Sequence, residues 1–228
     1  MGTVRLSNPL ALAVLALLEE RPMHPYEMST TLRERHKEDS IKLNYGSLYS
    51  VVASLQKYGL ITVQETVREG NRPERTVYAI TDAGRTKMVD WLSELISTPA
   101  REFTTFEAAL SLMGALPPDE VIRLLDIRLS SLQVKKQFLE GMAAAMPSNF
   151  PRIFTIENEF QYSLLTSELT FVRGLLHDLR TEQLSGIKFW RRMHELRATD
   201  AGPQEINETL RAEFPMDFTW MEDAEDQP

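Results

Sequence analysis

Cysteine is absent from the 228 residues. That excludes a disulfide framework, a thiolate zinc site, an iron–sulfur cluster and a cysteine nucleophile. Histidine is scarce: His24, His36, His177 and His194 are scattered, and no two stand at ligand spacing. No metal site and no cofactor is therefore expected. Long apolar runs are also missing. The longest, from Pro9 to Leu18, is too short to span a bilayer, and Arg5 alone is too little charge for a secretory leader. A cytoplasmic protein with no membrane partner is the expectation. The chain shows no paired carboxylates, no Ser-His-Asp arrangement and no phosphate-cradling glycine loop, so an enzyme is not expected.

What is present is ordinary globular composition, 43% apolar and 25% charged, over a length that suits one or two domains. The formal charge of −8 is unevenly spread. Residues 1–90 carry 12 basic and 11 acidic groups, whereas residues 91–228 carry 13 and 22. The first part can therefore hold a local basic stripe, and the second is a poor surface for phosphate.

Asn8 caps a first helix that begins at Pro9 and is apolar nearly all round, through Leu10, Val14, Leu17 and Leu18, as a buried helix is. A second helix runs from Pro25 to about Arg35. A third starts at Asn44 or Tyr45 and stops at Gly59, with Leu48, Val51, Val52 and Leu55 facing inward. The period then changes. Residues 60–67 and 75–80 are rich in β-branched side chains and flank the turn at 69–73, which predicts a hairpin with a basic tip. Thr81 opens a further helix carrying Met88, Trp91, Leu92, Leu95 and Ile96. Pro99 marks a break, and residues 97–104 form the domain boundary. Everything beyond reads as helical: a long helix from Pro117 to Pro147, a second from about Ile153 to Thr181, a third over roughly 184–197 and a short piece to about Phe214. The seam of the second is Ile156, Phe160, Leu165, Leu169, Val172, Leu176 and Leu179.

Three helices followed by a hairpin outline a winged helix-turn-helix. The third helix suits a major groove, because short polar residues near its start can approach base edges. Its outward side is Asn44, Gly46, Ser47, Ser50, Ser54 and Lys57, and no acidic residue lies between Lys42 and Lys57. The hairpin tip adds Arg68, Asn71, Arg72 and Arg75.

Several segments, taken in order, resemble the PadR-like transcriptional regulators. They are Met23-His24-Pro25-Tyr26-Glu27-Met28, Asn44-Tyr45-Gly46-Ser47-Leu48-Tyr49, Leu55-Gln56-Lys57-Tyr58-Gly59-Leu60-Ile61, Glu69-Gly70-Asn71-Arg72-Pro73-Glu74-Arg75 and Tyr78-Ala79-Ile80-Thr81-Asp82-Ala83-Gly84. The helical remainder looks like the longer C-terminal domain through which one subgroup dimerises. Two departures stand out: Pro25 precedes Tyr26 where the family often has glycine, and Tyr45-Gly46 replaces a Pro-Gly or similar pair. The resemblance implies a mainly α protein, with a winged helix-turn-helix domain over residues 1–96, an all-helical dimerisation domain over 104–214 and an acidic tail over 215–228. It also implies a homodimeric repressor that grips a palindromic operator in double-stranded DNA and is released by a small apolar or phenolic effector.

Carried over by position, Tyr26 matches a residue that touches the DNA backbone. Ser47 and Tyr49 match the core of the recognition helix, and Arg72 and Arg75 sit where family wings are basic. Tyr45, Ser47 and their neighbour Asn44 are the candidates near base edges; Lys42, Tyr49, Lys57, Arg72 and Arg75 are those for phosphates. Trp91, Tyr162, Phe171, Phe189 and Trp190 are candidate effector-pocket residues, although aromatic side chains at helical spacing serve packing more often than ligands. The rival reading is a winged-helix adaptor that binds protein and no specific DNA.

Overall fold

The computed structural model describes residues 8–41, 44–67 and 75–217. The molecule is mainly helical, with one two-stranded antiparallel sheet. It divides into two compact units, one ending at Glu102 and the other starting at Phe103. Among the described residues no helix is long and apolar enough to cross a membrane.

In the first unit, α1 (Pro9–Glu20) starts where the Asn8 side chain accepts the Leu10 N–H at 3.0 Å. Leu10, Val14, Leu15, Leu17 and Leu18 are buried along it. α2 (Pro25–Glu34) is capped by the His24 ring, whose Nδ1 accepts the Tyr26 N–H at 3.0 Å. α3 (Tyr45–Lys57) turns Leu48, Val51, Val52 and Leu55 into the core and is followed by Gly59 at φ 70°, a conformation that favours glycine. β1 (Ile61–Val67) pairs with β2 (Arg75–Ile80) from Ile61 opposite Ile80, with an irregularity between Val63 and Glu65 that admits one extra residue. Met23 and Tyr78 exchange two backbone hydrogen bonds of 3.0 Å, tying the chain before α2 to the free edge of β2.

α4 (Asp82–Ser97) begins at Thr81, whose hydroxyl accepts the Gly84 N–H at 3.1 Å and donates to the Gly59 carbonyl at 2.7 Å. Gly84 allows a close approach: a Cβ there would lie 2.1 Å from the Leu60 carbonyl oxygen. Trp91 joins the core. Leu92, Leu95 and Ile96 on the same helix are exposed within the unit.

The second unit contains α5 (Thr105–Leu112), α6 (Pro118–Ala145), α7 (Ile156–Arg180), α8 (Ile187–Arg197) and α9 (Pro203–Glu213). α6 and α7 form a long antiparallel hairpin, crossed by Asp126–Arg180 at 2.6 Å, by Arg128–Glu168, and by the Tyr162 hydroxyl donating to Glu140 at 2.7 Å. Val121 and Leu125 pack on Val172, Leu176, Leu179, Ile187 and Trp190. The Trp190 indole donates to the Leu116 carbonyl at 2.9 Å, and the His194 ring meets the Gly114 carbonyl at 2.9 Å, which requires the ring nitrogen to be the donor there. Leu196 and Leu210 centre a small third cluster with Phe189 and Phe214.

α5 has no buried residue. Two expectations need correction. The second long helix starts at Ile156, after a 3-10 turn at Arg152–Phe154, and not at Ile153. Ile156 and Phe160, which share the helical spacing of the seam, are 49% and 64% exposed, so the buried seam begins only at Leu165.

Candidate nucleic-acid interface

The recognition-type helix α3 presents a polar, cap-ordered N-terminus. Asn44 stands at the cap, and its side-chain Oδ1 accepts the Ser47 N–H at 2.6 Å. The Asn44 amide nitrogen is then the group left to donate outward. The Ser47 hydroxyl donates back to the Asn44 backbone carbonyl at 2.9 Å, and the Ser50 hydroxyl donates to the Gly46 backbone carbonyl at 2.9 Å. Both hydroxyls keep free lone pairs, so towards a ligand they act as acceptors, the complement of an exocyclic base amine. Gly46 carries no Cβ, and Asn44, Gly46 and Ser50 are exposed. A backbone or base edge can therefore come close to the first turn.

Tyr26 lies in the first turn of α2 and is 60% exposed. Tyr49 on α3 is 49% exposed, so its phenol is a surface group and not a core aromatic. Lys57 is exposed in the last turn of α3, and among the described residues it meets no carboxylate. Three arginines of this unit are engaged. Arg35 forms a two-bond pair with Glu20 at 2.5 and 2.8 Å, Arg21 pairs with Glu27 at 2.6 Å and Arg85 with Glu19 at 3.2 Å. The hydrogen bonds and charge of Arg35 hold the Glu20 carboxyl below its ordinary range. These pairs neutralise the flank formed by α1 and α2, leaving the outward side of α3 as the surface without acidic groups.

Tyr45 is the first residue of α3; its side chain lies outside the described residues, as do Lys42, Arg68, Asn71 and Arg72. Arg75 opens β2 opposite Val67, which places its backbone at the base of the hairpin tip; its side chain is likewise outside them. Tyr26, Asn44, Ser47, Tyr49 and Lys57 thus have a described geometry. Sequence reasoning had assigned no role to the capping ring of His24, although a side-chain acceptor directly before Pro25 is a visible cap signal.

The five candidate effector residues are not gathered together. Trp91 is packed in the core of the first unit. In the second, Trp190 is buried with its indole N–H satisfied, and Phe189 packs edge-on against Phe214 at 5.9 Å between centroids. Phe171 meets Phe106 edge-on at 6.4 Å and lines a hollow of about 420 Å³ with Arg128. Tyr162 lines another of about 490 Å³ at the loop end of the α6–α7 hairpin, where α6 ends and α7 begins. Arg191 and Arg192 on α8 are paired with Asp119 and Glu213, at 3.3 and 2.9 Å. Among the described residues no group of three or more His, Asp or Glu is placed to hold a metal ion.

Residues 14–90 match the model of the transcriptional regulator PadR-like family. The chain is 25% identical over 146 residues to the negative transcriptional regulator PadR of Bacillus subtilis (strain 168), an alignment covering 62% of this chain and 79% of that protein. Its fold is similar to the crystal structure of Bacillus subtilis PadR in complex with operator DNA, with a TM-score of 0.59, 20% identity and coverage of 75% of this chain and 99% of that one. The structure of the same protein in complex with p-coumaric acid gives a TM-score of 0.60 at 18% identity, covering 75% of this chain and 98% of that one.

Proposed function

We propose, from the match of residues 14–90 to the model of the transcriptional regulator PadR-like family, that the chain is a sequence-specific DNA-binding regulator of this kind, acting as a dimeric repressor. The observation that carries the reading is α3: a capped helix whose outward side is short, polar and free of acidic groups, in a chain that is acidic overall. In this reading α3 lies in the major groove. Asn44 donates and Ser47 accepts near base edges, with Tyr45 beside them. Tyr26, Tyr49, Lys42 and Lys57 contact phosphates, and the wing residues Arg72 and Arg75 reach the adjacent backbone.

Dimerisation suits the helical unit. Ile127, Val134 and Phe138 on α6, and Phe160, Leu164 and Phe171 on α7, are all at least half exposed and recur at helical spacing. Apolar rows of this length on a soluble chain mark an interaction surface. A two-fold dimer sets two copies of α3 about one helical turn of DNA, or a multiple, apart, and so reads a palindrome.

The negative regulator and the p-coumaric acid complex of the B. subtilis relative support repression relieved by a small apolar or phenolic molecule. Such an effector must bind one arrangement of the dimer more tightly than the other; equal affinity shifts nothing. The reading makes the chain a non-enzymatic cytoplasmic protein. Nuclease footprinting on the region upstream of its own gene tests it: two symmetric protected half-sites support the reading, and uniform cleavage at saturating protein contradicts it.

A further inference from the structure

Leu48, Val51, Val52 and Leu55 fix which side of α3 faces the core. At 3.6 residues per turn, the positions directly opposite are 46, 50, 53 and 57. Their occupants, Gly46, Ser50, Ala53 and Lys57, are all exposed, whereas Ser47 and Ser54, off this line, are half-buried. Ser50 and Ala53 therefore stand in the middle of the outward side, between the capped first turn and Lys57 in the last.

The Ser50 hydroxyl donates to the Gly46 backbone carbonyl at 2.9 Å. Its one proton is thereby used, and what it offers outward is acceptor lone pairs. Ala53 offers a methyl group and nothing polar. Both side chains are short, so each touches a base only where the helix backbone comes close to the base edges, and Gly46 has no Cβ to hold it off. Between residues 50 and 53 the helix rises about 4.5 Å, little more than one base-pair step of about 3.4 Å. The two side chains thus address the same pair or adjacent ones. Of the two kinds of base pair, only A·T carries both an exocyclic amine and a methyl group on its major-groove edge.

We propose that Ser50 and Ala53 are specificity-determining residues that read A·T pairs in each half-site. Ser50 Oγ accepts the N6 amine of an adenine, and the Ala53 methyl packs on the C5-methyl of a thymine in the same pair or the next. This rests on the reading of α3 as the helix that enters the major groove. A G·C pair there removes the methyl contact, and a guanine in place of the adenine sets its O6 acceptor against the Ser50 lone pairs.

Selection of duplexes from a random library by the full chain, followed by anisotropy titrations, tests the assignment. Within the selected half-site each thymine is replaced in turn by deoxyuridine, which lacks only the C5-methyl, and each adenine by purine, which lacks the N6 amine. In the parent, one deoxyuridine position should weaken binding about fourfold, the effect of one buried methyl group. One purine position in the same or the adjacent pair should weaken it about two- to tenfold, the effect of one hydrogen bond. Ala53→Gly should abolish the first effect and keep the second, and Ser50→Ala should do the reverse. A helix that is merely loosened weakens binding to every duplex alike and moves neither ratio. Ratios equal in parent and variants overturn the assignment, and so do selected half-sites without an A·T pair. Should Ala53→Gly fail to fold, Ala53→Ser sets a hydroxyl at the methyl contact and should likewise abolish the deoxyuridine effect; a retained effect refutes the role of Ala53. If no sequence is enriched from the library, the DNA-binding reading itself fails, and the assignment with it.

Discussion

Replacing Gly84 with alanine puts a methyl group against the turn between α3 and β1. The new Cβ would lie 2.1 Å from the Leu60 carbonyl oxygen and 2.8 Å from Ile80 Cγ1, where ordinary contact begins at 3.4 Å. The first obstacle is backbone, so α4 itself must retreat, by about 1 Å or more in a closely packed interior. The same Leu60 oxygen accepts the Thr81 N–H at 3.0 Å, and the Thr81 hydroxyl reaches the Gly59 carbonyl at 2.7 Å. A retreat stretches both bonds and draws Trp91 from the core. Overpacking costs about 1–3 kcal/mol, and a weakened hydrogen bond about 1 kcal/mol. A loss of about 2–4 kcal/mol in a unit of roughly 100 residues, at about 4–8 °C per kcal/mol, lowers the melting midpoint by about 8–30 °C. Differential scanning calorimetry of the full chain reads this directly. A midpoint within about 2 °C of the parent would refute the close approach of α4 to the turn and, with it, the docking of the wing onto the core.

Other perturbations probe charge and assembly. The Glu20 carboxyl is held below its ordinary value of 4.5 by Arg35. Its contribution to stability is therefore full above pH 4.5 and is lost as the pH falls through the depressed value. Glu20→Gln should flatten the acid limb of urea-unfolding stability against pH, and an unchanged limb would remove the pair from the account. Lys57→Ala should reduce the slope of log K against log salt by about 1 while leaving the preference among DNA sequences intact; altered sequence preference with an unchanged slope would move Lys57 off the phosphates. Phe138→Glu combined with Phe160→Glu should turn the dimer into a monomer by light scattering and weaken operator binding. A dimer that persists would show that these rows are not its interface.

The short-range signals in the sequence translate into structure through hydrogen bonds that neighbouring residues can make alone. Asn8, Asn44 and Thr81 each cap the helix that follows, Gly59 takes the left-handed turn, and the β-branched runs pair as a hairpin. Helical periodicity says that a face is apolar, but not what covers it. Phe160 and Leu165 share one spacing, yet Phe160 is 64% exposed and Leu165 is buried. Leu92, Leu95 and Ile96 are likewise exposed on the helix whose Trp91 is buried. The five aromatic residues scatter because residue type carries no information about which long-range cluster a side chain joins; Trp190 was settled by a carbonyl 74 positions away, that of Leu116. On the surface proposed to face DNA, the sequence supplies the candidate residues. The donor and acceptor roles of Asn44 and Ser47 were not legible in it, since they follow from which of their atoms the helix has already used.

Sequence-specific DNA binding is tested most directly by fluorescence anisotropy of the full chain. The titration uses duplex from upstream of its own gene beside a scrambled duplex, at low and near-physiological salt. The account predicts a preference for the native duplex of about 10³-fold or more, with affinity falling linearly as log salt rises. Equal and weak binding to both duplexes, or none, alongside tight capture of a protein partner would contradict it and make the winged helix an adaptor.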